Sequence, residues 1–90
     1  MIKMLLLANS LISTDAICTG YGDLAYEIMS LHQSGVSLSK TLQAVGDEPI
    51  VRKMIIIAYD MSRYPTEEMR RETAEWFRDR MMLACLEQRK

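Results

Sequence analysis

The stretch that decides the fold is residues 66–88, Thr66 followed by EEMRRETAEWFRDRMMLACLEQ. It contains neither glycine nor proline, and it opens on a threonine that can accept a hydrogen bond from the first free backbone N–H groups of a helix. Its Glu and Arg residues recur at i+3 and i+4, as Glu67 and Glu68 with Arg71 and Glu75 with Arg78, each pair contributing about 0.2 to 0.5 kcal/mol. The spacing predicts a helix over Glu67–Gln88 with an inner stripe of Met69, Thr73, Trp76 or Phe77, Met81, Ala84 and Cys85. Tyr64-Pro65 closes whatever comes before, because proline disfavours helix at the residue it follows.

Upstream, Ile50, Val51, Met54, Ile55, Ile57, Ala58 and Met61 make a helix apolar around much of its circumference, which predicts the central element of the fold. Asp47 is read as its cap, with Glu48 and Pro49 in the first turn, where a missing N–H costs nothing. Ser37 caps a shorter helix carrying Leu38, Leu42 and Val45, and Gly46 stops it. Asp23 is read as the cap of another, with Leu24, Ile28 and Leu31 on one stripe and its end near Ser34-Gly35; Thr19-Gly20-Tyr21-Gly22 is read as the break before it.

The whole chain fits this reading. It has 90 residues, 49% hydrophobic and 26% charged, and its four Gly and two Pro are too few for a turn-rich β protein, whereas eight Met suit helices. A chain of this length buries only about 60 to 65% of its unfolded surface, so it holds one thin core. The expected fold is all-α, a small bundle of three or four helices. Eleven Lys and Arg against twelve Asp and Glu leave a formal charge of -1, which creates no long-range field for nucleic acid or anionic lipid.

Residues 1–16 admit two readings. Met1-Ile2-Lys3, the apolar run from Met4 to Ile12, and small residues at Thr14 and Ala16 have the layout of a secretory signal cleaved after Ala16. The same run also suits an N-terminal apolar helix of a cytosolic protein, since Leu5, Leu6, Leu11 and Ile12 include pairs at helical spacing. It is far short of the roughly 20 residues that span a bilayer, so no stable membrane span is expected. Residues 17–90 form the single helical domain, periplasmic or secreted if the leader is removed and cytoplasmic otherwise. Cys18 and Cys85 follow the same fork: in a short exported chain an even cysteine count favours a disulfide between them, and in the cytosol they are two small buried hydrophobes.

No catalytic, cofactor or metal site is read from the chain. Two separated cysteines and one histidine do not supply the paired ligands of structural zinc. Gly20-Tyr21-Gly22-Asp23-Leu24-Ala25 matches G-x-G-x-x-A, but without a βαβ unit around it the match is empty. His32 lies outside any nucleophile motif and is read as a solvated residue at a helix end. Asp60, Glu67, Glu68, Glu72 and Glu75 are interleaved with arginines, as on an ordinary solvated face.

The surface candidates are Trp76, Phe77, Met81 and Met82, with Arg70 and Arg78. Adjacent helical residues point about 100° apart, so either the inner stripe is wide or one of each pair stands out as an anchor for a protein partner or a second copy. The acidic residues interleaved with these arginines argue against nucleic acid.

Cys18, Leu24-Ala25-Tyr26-Glu27-Ile28-Met29, Gly35-Val36-Ser37-Leu38-Ser39, Ile57-Ala58-Tyr59, Arg63-Tyr64, and Phe77 with Cys85-Leu86 resemble a group of small phage- and prophage-encoded proteins. Those carry a signal peptide, a short helical domain and one cysteine near each end. The resemblance implies a small non-enzymatic protein that binds one host or competitor protein and obstructs it sterically. An exported form would meet envelope proteins, a cytosolic one a bacterial defence complex, as anti-CRISPR proteins do. A homo-oligomeric structural or assembly accessory is the other class.

Overall fold

A computed structural model describes the backbone of residues 2–89 and the side chains of residues 16–89. Four helices follow in order: α1 (Ile2–Gln33), α2 (Leu38–Val45), α3 (Pro49–Asp60) and α4 (Glu67–Gln88). The described residues contain no strand, and the protein is the all-α helical bundle that its composition implies. Which of the two readings holds for residues 1–16 rests on side chains that lie outside the described residues, apart from the exposed Ala16.

Local chemistry accounts for most helix ends. Ser37 accepts from Lys40 N–H at 3.2 Å at the start of α2, and Thr66 accepts from Met69 N–H at 3.1 Å at the start of α4. Gly35 and Gly46 stand at φ 85° and 88°, a conformation that costs glycine little, and they end α1 and α2. Pro49 opens α3, but Asp47 is not its cap. The N-cap is Glu48, without a side-chain bond, and Asp47 instead meets Arg52 at 3.2 Å.

Two larger expectations are corrected. Gly20 and Gly22 do not break the chain, and Asp23 caps nothing: α1 passes through all three without interruption. An interior glycine costs a helix only about 1 kcal/mol, which packing can offset. At Gly22 the missing Cβ makes room for the Met82 side chain and the Arg78 Cγ of α4, so this glycine brings two helices together.

The central helix is α1 rather than α3. It touches all three others and runs antiparallel to α4 over the longest stretch, with Cys18 on Cys85, Gly22 under Met82 and Tyr26 under Arg78. Burial of α3 is confined to Val51, Met54, Ile55 and Ala58, and Ile50, Ile56 and Ile57 remain 51%, 62% and 45% exposed. A 12-residue helix at the side of the bundle is covered on one face only, however apolar the other faces are.

The core joins Ala25, Ile28 and Met29 of α1 to those α3 residues and to Ala74 and Phe77 of α4. Beside it, α2 half-buries Leu42 and Val45, leaves Leu38 exposed, and buries Thr41 completely. Thr41 is accommodated by a hydrogen bond between its hydroxyl and that of Tyr59, which in turn donates to the Val36 carbonyl at 2.8 Å. Cys18 and Cys85 form a disulfide with their α-carbons 5.5 Å apart, inside the range such a bond allows.

Candidate interaction surface

Phe77 sets the phase of α4. With Phe77 1% exposed, the positions that follow it inward at helical spacing are Arg70, Ala74, Met81 and Cys85, one residue on from much of the stripe read from sequence. Met69 and Ala84, expected inside, are exposed, Thr73 is half-buried, and of the alternatives Trp76 and Phe77 it is Phe77 that faces inward. One member of the aromatic pair therefore stands out: Trp76 is 51% exposed, while Phe77 is core and is withdrawn from the surface candidates. Met81 packs against the core and Met82 lies over Gly22.

The two arginines sit at the border of the buried face. Arg70 donates through Nε to the Tyr64 carbonyl at 2.6 Å, and the Arg78 guanidinium lies 5.6 Å from the centre of the Tyr26 ring. Each thus helps to hold the bundle. The helix ion pairs differ from those read at i+3 and i+4 spacing: Arg71 meets Glu75 at 3.7 Å and Arg78 meets Asp79 at 3.4 Å.

With the phase settled, an apolar row appears on the outer side of α4. Met69, Trp76 and Leu83 recur every seven residues and are 41%, 51% and 54% exposed; Leu86 extends the row at 40%. Seven residues are nearly two helical turns, so these side chains form one ridge on a helix whose opposite side is buried. Met69 and Leu83 were not among the sequence candidates, although their spacing about Trp76 is visible there.

At its N-terminal end the row borders a groove of about 430 Å³, lined by Met61, Tyr64, Met69, Glu72, Thr73 and Trp76. A second depression, of about 310 Å³, lies further along at Asp79, Met82, Leu83 and Leu86. The far wall of the first groove, Met61 and Tyr64, belongs to the connector between α3 and α4, and the last residues of α1 hold it. His32 donates through Nε2 to the Met61 carbonyl at 2.7 Å, and its ring centre lies 4.3 Å from that of Tyr59 with the planes tilted by 48°. Gln33 donates to the Ser62 carbonyl at 2.8 Å and accepts from Tyr64 N–H at 2.9 Å.

His32 is accordingly a buried structural residue, 8% exposed, and not the solvated helix-end residue expected from its position. The connector folds back over the end of α1, and the partly buried carbonyls it brings are met by donors from that helix. A wall held at four backbone groups is already shaped before anything binds, which lowers the ordering cost of association.

Among the described residues, no three of His, Cys, Asp or Glu gather as a metal site, and no helix is long and apolar enough to cross a membrane. No protein-family model, curated protein or solved structure matches the chain. The class defined by fold and surface is a small disulfide-linked helical bundle with an apolar ridge on the exposed side of α4.

Proposed function

We propose that this is a small interaction protein that binds one protein of a host or of a competing phage through the outer side of α4 and obstructs it sterically. The observation that carries the reading is the Met69, Trp76 and Leu83 ridge, exposed beside a groove whose connector wall is held by His32 and Gln33. Half-exposed tryptophan and methionine beside a preformed hollow are the usual anchors of protein recognition. The resemblance to small phage and prophage proteins supplies the class of target.

The Cys18–Cys85 bond favours the exported form, and with it an envelope target, since such bonds persist in oxidising compartments.

The test is photo-crosslinking in bacteria from a benzoylphenylalanine placed at position 83. The reading expects an adduct with one host protein, displaced by excess unlabelled protein and not by the Met69→Glu, Trp76→Glu double variant. Adducts only with a second copy would transfer the ridge to a homo-oligomeric accessory. Adducts that the double variant displaces equally well would remove Met69 and Trp76 from the interface and overturn the reading of the ridge as the anchor.

A further inference from the structure

The residues of α4 sort into rows. At about 100° per residue, Met69, Trp76 and Leu83 fall within roughly 40° of one another, and Glu68, Glu72, Glu75 and Asp79 form the adjoining row on one flank. Beyond these lie Arg71 and Arg78, which pair with Glu75 and Asp79. Glu68 and Glu72 make no ion pair among the described residues, and Glu72 lines the groove itself. On the other flank of the ridge stand Thr73, Ala84 and Arg80, the last placed 5.9 Å from the centre of the Trp76 ring.

Resting on the interaction reading above, we propose that the ridge and its groove take a basic amphipathic helix of the partner, its apolar face along Met69, Trp76 and Leu83 and its Lys or Arg residues beside Glu68 and Glu72. Carboxylates without counter-ions next to an apolar row select cations next to an apolar row. A helix suits the surface better than an extended segment, because the backbone of α4 is hydrogen-bonded internally and offers no edge to a strand. The ridge from Met69 to Leu83 is about 21 Å long, about four turns of a partner helix lying along it.

The acidic row disfavours an anionic membrane. A second copy packed parallel would bring to it, from the opposite side of its own ridge, Arg80 and Glu87 against four carboxylates, and one packed antiparallel would bring its own acidic row.

The protein's single tryptophan, Trp76, reports occupancy directly. Two synthetic helical peptides without tryptophan, identical in their leucine rows and differing in Lys or Glu flanks, are titrated into the full chain while Trp76 emission is followed. The proposal expects a blue shift with the Lys peptide and binding at least tenfold tighter than the Glu peptide. It also expects the Glu68→Lys, Glu72→Lys variant, folded by circular dichroism, to reverse the preference.

Equal binding of both peptides, unchanged in that variant, would overturn the partner's charge and leave the interaction surface standing. No shift with either peptide, but a shift with protein concentration alone or with phosphatidylglycerol vesicles, would overturn the proposal in favour of a second copy or a lipid surface. No shift under any of these conditions would overturn the proposal and the interaction reading together.

Discussion

Adjacent residues of α4 meet opposite surroundings, and the difference is testable side chain by side chain. Phe77→Ala opens a hole in the core cluster that α1, α3 and α4 share, and should lower stability by about 3 to 5 kcal/mol in urea denaturation. Trp76→Ala removes a ring that is half in water and should change stability by less than about 0.5 kcal/mol. Similar losses for both would mean that Trp76 belongs to the core after all. The two glycines of α1 form a second pair. Gly20 has nothing near its missing Cβ, so Gly20→Ala should raise stability by about 0.5 to 1 kcal/mol through helix propensity. Gly22→Val forces β-branched bulk into Met82 and Arg78 and should lower stability by about 1 to 3 kcal/mol. Sequence could not separate these glycines, because both are punctuation until the position of α4 is known.

At the scale of elements, helix limits were largely legible because each is set by chemistry within one turn: Ser37, Thr66, Pro49 and the glycines at positive φ lie where the helices change. The connector of residues 61–66 was not legible in the same way. Its conformation depends on His32 and Gln33, about 30 residues earlier, and no periodicity reports a hydrogen bond to another segment's carbonyl. Gln33→Leu should lower stability by about 1 to 3 kcal/mol, since it leaves the Ser62 carbonyl and the Tyr64 N–H without partners. The same variant should raise amide exchange at Tyr64 well before exchange rises in α1 or α3. Unchanged exchange there would separate the groove wall from the end of α1.

For the whole molecule the disulfide is the dominant constraint. It closes a loop of 67 residues of sequence separation and, in the chain-entropy model, contributes about 4 kcal/mol. In a protein of this size that is comparable with total stability. Reduction with dithiothreitol, or the Cys18→Ser, Cys85→Ser double variant, should lower the unfolding free energy in urea by about 4 kcal/mol, moving the midpoint down in proportion, and α1 and α4 should separate first at the Cys18 end. A midpoint unmoved by reduction would show that packing alone sets stability. Intact mass from bacterial fractions, with free thiols alkylated, addresses export at the same scale: the exported reading expects a periplasmic species beginning at Ile17 with both cysteines protected. A cytosolic species that keeps its N-terminus and carries two alkylated thiols would make residues 1–16 part of the working protein.

The chain alone was enough for the all-α class and for the starts and stops of α2 and α4, and it offered a Cys18–Cys85 disulfide as one of two readings that the structure then resolved. Capping, propensity and loop closure act locally or through covalent connectivity, and both are written along the chain. Tertiary structure alone decided that α1 and not α3 is central, that α1 runs through Gly20 and Gly22, and that Phe77 faces inward while Trp76 faces water. These are questions of phase and partner. A shift of about 100°, one residue's worth, exchanges core for surface on a helix apolar on several sides, and only the helix packed against it breaks that tie.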